Sequence, residues 1–196
     1  MMIDKRELKN LVERLDNGVD KFIVAGLFYG LNGSSSKKEQ LLNITVDDID
    51  FDNSTITLLD GRVVVMDDFL KKIAKEACTQ KCYVKLGNQG RSNADYFFNA
   101  DSKYVVKVKP TQKNNNGLEP LGAEGFKTRL KSISAFLLGN NELTANTLKQ
   151  SGAYSALLES EEALTVDRAE VYLASKGLRV GRNILASMLR EINEKN

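Results

Sequence analysis

Within the stretch Leu143–Ala153, LTANTLKQSGA, one ammonium group and two carboxamides crowd into five positions: Asn146, Lys149 and Gln150. The stretch enters a helix, and Thr144 or Asn146 is suited to cap it, because a side-chain oxygen there accepts an N–H of the first turn. This set can bind, but it has nothing with which to catalyse. Lys149 offers a point charge to a phosphate, and Asn146 and Gln150 offer amides to phosphate oxygens or adenine edges. None of the three is a general base or nucleophile near neutral pH. The whole chain of 196 residues contains no histidine. That removes the usual base, the common triads and most transition-metal sites. Cys78 and Cys82 are the only cysteines, and two thiols without a histidine make a poor metal site. Reduced thiols with no bound metal and no cofactor are the expectation.

Further cations extend the candidate surface. Lys37 and Lys38 lie in the break GLNGSSSKKEQ, Arg62 follows the turn Asp60-Gly61, and Arg91 sits in a polar run. Lys127, Arg129 and Lys131 share one predicted helix, where Arg129 and Lys131, two apart, cannot occupy one face. Arg179 and Arg182 stand three apart near the end. Net charge is only +2, yet residues 81–131 carry ten Lys/Arg against four Asp/Glu, while 41–80 carry four against eight. An excess of six positive charges in mid-chain suits an anionic partner.

The elements that must position these residues follow from periodicity. Apolar spacing predicts a helix over 4–16 and a buried one over 19–31, then a short helix at EQLLNI. DIDFDNSTITLLDGRVVVM reads as strand, turn and strand, with Asp60-Gly61 at the hairpin. Asp67 or Asp68 caps the amphipathic helix DDFLKKIAKEAC. YFFNA and SKYVVKVKP read as short strands, and the Asn/Gly-rich TQKNNNGLEPLGAEG as a long loop or linker. Four helical segments finish the chain: FKTRLKSISAFLLG, TLKQSGAYSALLES, VDRAEVYLASKG and VGRNILASMLREINEK. The fold class expected is α+β. No run of residues is long and apolar enough for a membrane span, and the N-terminus is no signal peptide, so a cytoplasmic protein is expected.

Taken in order, YGLN at 29–32, EQLLNITVDDIDF at 39–51, TITLLDGRVVVM at 55–66 and LTANTLKQSGAYSALL at 143–158 resemble the catalytic domain of tyrosine recombinases and phage integrases. The resemblance covers roughly 19–190. It implies a mainly helical fold with a small antiparallel β-sheet, residues 1–18 forming an N-terminal helix or linker and 19–196 the recombinase-like domain. In that family two arginines clamp the scissile phosphate, a hairpin lysine and histidines handle protons, and a tyrosine attacks phosphorus. Here the first arginine position holds Asn32, the second holds Lys149, and the flanking histidine positions hold Asn146 and Gln150. Arg62 lies near the hairpin lysine, and Tyr172 or Ser175 near the later histidine. The final helix, where the nucleophile belongs, has no tyrosine.

What the resemblance implies is a degenerate member, similar to the recombinase-like repressors of SPbeta-like prophages: a non-catalytic reader of double-stranded DNA and a transcriptional regulator. The expected DNA-binding set is Asn32, Lys37, Lys38, Arg62, Arg91, Lys127, Arg129, Lys131, Asn146, Lys149, Gln150, Arg179 and Arg182. The alternative is a protein-interaction module that pairs with an active integrase, or with a second copy, through its C-terminal helix. An active enzyme using Tyr172 is the most distant reading.

Overall fold

The computed structural model describes residues 2–32, 40–87, 95–160 and 164–195. Asp4 opens helix α1 (Lys5–Glu13) with a reciprocal capping box to Glu7, satisfying two end groups at once. The stripe Leu8, Val12 and Leu15 is buried. Helix α2 (Gly18–Phe28) is apolar almost throughout and lies at the centre of the main core. It ends where Gly30 turns left-handed, at φ 74°, a conformation that costs glycine nothing.

A three-stranded antiparallel sheet follows, β1 (Ile49–Asp50), β2 (Thr55–Thr57) and β3 (Val63–Val65), in the order β1-β2-β3. Ile56 faces Val64 across β2 and β3. Gly61, at φ 82°, closes the expected hairpin. Of the two candidate caps for helix α3 (Asp68–Thr79), Asp67 serves, its carboxylate accepting from Leu70 N–H at 2.8 Å. Strands β4 (Cys82–Tyr83) and β5 (Tyr96–Phe97) form a separate antiparallel pair.

One expected strand is absent. SKYVVKVKP makes a single bridge, Tyr104 with Thr45. Val105 and Val106 are buried there, but their segment ties to irregular backbone, Val46 N–H to Lys103 O and Val105 N–H to Ile44 O. A strand needs a partner strand along its length, and among the described residues this segment has none. The Asn-rich stretch is not an open linker either: Gln112–Gly117 forms tight turns kinked at Asn114–Asn116, with Asn115 and Asn116 left-handed, and Thr111 and Asn114 bond reciprocally at its start.

The last third is helical: α4 (Ala123–Leu138), α5 (Ala145–Leu158), α6 (Val166–Ser175) and α7 (Arg182–Lys195). Thr144 rather than Asn146 caps α5. Helices α2 and α5 cross almost in backbone contact. A Cβ on Gly152 would lie 1.9 Å from the Phe28 carbonyl oxygen, so no larger residue fits. Leu185, Met188, Leu189 and Ile192 of α7 pack on α5 and α6 of the same chain, in a second cluster with Ala153, Leu157 and Leu173. Among the described residues no helix is long and apolar enough to cross a membrane.

Candidate functional site

The crossing of α2 with α5 fixes what lies at its ends. On one side the C-terminal end of α2 and the first turns of α4 and α5 surround a hollow of about 290 Å³. Asn32, Asn146, Lys149 and Lys127 stand at it, with Leu42, Phe126, Ala123 and Ala145 as its apolar wall. Residues more than a hundred positions apart in sequence therefore meet, as the resemblance requires of the two arginine positions and the box between them.

Their exposures differ. Asn146 is exposed, Lys149 and Gln150 are half-buried on the next turn of α5, and Lys127 is exposed beside Glu124, its partner at 2.7 Å. Exposed pairs of this kind are screened by solvent and contribute little. Asn32 is different. It is 2% exposed, and its side-chain oxygen accepts the Leu41 N–H at 3.1 Å. Expected as a DNA contact, Asn32 is instead a wall residue that fastens the following 3₁₀ turn, because a short amide cannot reach out of this position as an arginine would.

Arg129 also needs correction. Its side chain is 9% exposed, with Nε 2.8 Å from Oδ1 of the fully buried Asp20. That approach is a charge contact rather than an aligned hydrogen bond, since Oδ1 meets hydrogen-bond geometry with none of the described residues. The guanidinium also lies 4.6 Å from the Tyr83 ring centroid and donates to Lys107 O. Burial pushes the Asp20 carboxyl up despite the charge of Arg129. This is a structural ion pair, and Arg129 leaves the candidate surface.

Arg62 reaches inward as well. Its Nη2 donates to Gly30 O at 3.0 Å and its Nε lies 3.6 Å from Asp60. A Cβ on Gly177 would collide with the same guanidinium at 2.0 Å. Arg62 thus ties the hairpin to the end of α2 and to the turn after α6, a positioning role rather than an open contact. Arg182 holds Asp167 and Glu170 of α6. Arg179 and Lys131 are exposed, away from the hollow's lining. Lys37, Lys38 and Arg91 lie outside the described residues.

Neither candidate for the later histidine position stands at the hollow. The Tyr172 hydroxyl donates to Ala156 O at 3.2 Å, and Ser175 lines a different cleft of about 390 Å³ with Tyr29, Asp67 and Glu159. In that cleft Lys5 meets Asp67 at 2.9 Å and the Tyr29 hydroxyl donates to Asp67 at 2.6 Å. Burial alone would raise the Asp67 carboxyl, but the Leu70 N–H, the Tyr29 hydroxyl and Lys5 together hold it below its ordinary 3.8.

Sequence reasoning missed the apolar wall of the hollow. Phe126 begins the core stripe of α4, Phe126, Leu130, Ile133 and Leu137, and nothing in that periodicity says that its first residue borders a cavity. Among the described residues, no cluster of His, Cys, Asp or Glu is arranged to hold a metal ion.

A family model described as the C-terminal catalytic domain of MrpR matches residues 2–183. Among solved structures, the crystal structure of XerA recombinase superposes with a TM-score of 0.62 at 15% identity, covering 100% of this chain and 65% of that one. At such identity the likeness is one of fold: a mostly helical domain with a small antiparallel sheet. The chain spans just under two thirds of the XerA chain. No curated protein matches the sequence.

Proposed function

This chain belongs to the family of the MrpR C-terminal catalytic domain, and on that footing we propose that it binds duplex DNA without cutting it. One observation carries the reading. Asn32, Asn146 and Lys149 converge on one hollow at the end of α2 and the start of α5, while none of these positions offers a guanidinium, an imidazole or a nucleophile. Phosphate contacts need lysines and amides at a surface, and most protein–DNA hydrogen bonds are of that kind. Phosphoryl transfer needs more: a charge clamp and an attacking oxygen in line. The sharper form of the proposal is a transcriptional repressor of a prophage or mobile element, on the resemblance to the recombinase-like repressors of SPbeta-like prophages.

The DNA-facing residues in this reading are Lys149, Asn146, Gln150 and Lys127. Arg129, Asn32 and Arg62 support them from within. A gel shift on random-sequence duplex, repeated across salt concentrations, tests it. The expected result is a complex that weakens linearly in log salt, as phosphate neutralisation demands. A folded protein that shifts no duplex at low salt would overturn it.

The interaction-module reading has less to stand on. It needs an apolar face on α7 open to a partner, and the stripe Leu185, Met188, Leu189 and Ile192 is buried against the chain's own α5 and α6. Ile184 is the large apolar side chain that α7 leaves exposed, at 39%.

A further inference from the structure

We propose that the hollow between the first turns of α4 and α5 is a binding site for a small apolar anion, a one-ring carboxylate, which competes with DNA phosphate. The competition rests on the DNA-binding reading above; the binding itself does not.

A site shaped only to grip a phosphate is lined by donors. This one has a wall of Leu42, Ala123, Phe126 and Ala145, with polar groups standing around it rather than filling it. Its volume of about 290 Å³ falls at the small end of ligand sites, which run from roughly 300 to 1,000 Å³. A hollow of that size suits a single substituted ring rather than a larger ligand. An apolar wall with a few convergent polar groups is the usual make-up of a small-molecule pocket.

The polar groups set the sign of the charge. Lys127 and Lys149 supply ammonium groups and Asn146 an amide. Ala123 and Ala145 are the first residues of α4 and α5, so the partial positive ends of two helices lie at the same hollow and reinforce the preference for an anion. The one carboxylate beside Lys127 is Glu124, which is 86% exposed and free to swing into solvent. An apolar body against Phe126 with its carboxylate at Lys149 satisfies both halves of the site. It also places a negative charge where the DNA reading puts a phosphate, so occupancy by one excludes the other.

The test uses the full chain, ¹⁵N-labelled, titrated with sodium benzoate at constant ionic strength. Sodium acetate serves as an anion without the ring and benzyl alcohol as a ring without the charge. Expected are saturable shifts of the Ala145 and Phe126 amides with benzoate alone, and ring-proton contacts to Leu42 and Phe126. Ala145→Leu, which fills the hollow, abolishes them. Absence of those contacts in the wild-type protein overturns the site whether or not that variant folds, as does acetate matching benzoate. In a parallel gel shift, benzoate at ten times its Kd weakens duplex binding about tenfold if the two compete for one site. Duplex affinity unchanged under saturating benzoate overturns the competition. Failure to bind any duplex sinks the DNA reading instead and leaves the titration to decide the site by itself.

Discussion

Lys149 is the residue on which the DNA reading turns. It is half-buried on the second turn of α5, one helical turn from Asn146, and lines the hollow. Replacing Lys149 with alanine is expected to weaken binding to all duplexes alike and to lower the slope of log affinity against log salt by about one unit, the signature of one lost phosphate contact. Salt-dependent gel shifts on two unrelated sequences measure both. Arg129 makes the opposite prediction. Removing one member of a buried ion pair strands the other charge and costs about 3–5 kcal/mol, so Arg129→Leu should lower the urea midpoint sharply. Asp20→Leu added to it should recover part of the loss, while the folded double variant keeps the wild-type salt slope. A slope lowered by one unit there would return Arg129 to the interface. Asp67 makes a pH prediction. Its folded pKa is held below the ordinary 3.8, so its stabilising contribution is present above that value and is lost as pH falls through the folded one. Asparagine also caps helices well, so the stability difference between wild type and Asp67→Asn should be present near neutral pH and shrink steadily in urea titrations below about pH 4.

At the scale of the element, periodicity and turn chemistry made most of the helices legible. Asp4, Asp67 and Thr144 cap α1, α3 and α5 as their side chains allow, and Asp60-Gly61 closes the hairpin. Legibility ended where tertiary contact decides. Lys107 and Arg129 read as cations of a basic segment, yet Lys107 turns inward to bind the last carbonyls of α3 at 3.0 and 2.8 Å, and Arg129 pairs with Asp20. A hint existed for Arg129, since it adjoins the stripe Phe126, Leu130 and Ile133, but no sequence rule places a buried aspartate opposite it. The missing strand over 103–110 fails for the same reason, because alternation without a neighbour forms no ladder. Gly152 is the most demanding element-level feature. Overpacking in a well-packed core typically costs about 1–3 kcal/mol, occasionally more. A Cβ 1.9 Å from the Phe28 carbonyl has only backbone to push against. Gly152→Ala should therefore destabilise at or beyond the top of that range in urea unfolding and, by spreading α2 from α5, weaken duplex binding by the protein that remains folded. A variant with unchanged stability would mean that the two helices do not cross as closely as described.

For the whole molecule, the frame and the reaction separate. The fold brings the end of α2, the hairpin and the start of α5 together as a recombinase domain does, and Arg62 with Gly30 and Gly177 holds those parts in register. On the proposed reading, what stands at the centre lacks the means to move a phosphoryl group. The amide of Asn32 is committed to Leu41, and Lys149 has no bidentate fork. The Tyr172 hydroxyl donates to Ala156 O from α6, and α7 contains no tyrosine. Loss of one oxyanion donor alone typically costs about 10²–10³ in rate, and among the described residues that line the hollow none carries a hydroxyl or thiol to attack from. The expected outcome on a nicked duplex is binding with no protein–DNA adduct that survives detergent. The same absence is expected in Asn146→His with Lys149→Arg, both on the accessible first turns of α5. Those changes supply a bidentate fork and a proton carrier but no nucleophile, so duplex affinity should hold or rise without any covalent product. An adduct from either protein, mapped to Tyr172 or to any other residue, would show that this chain still carries out the chemistry of its fold.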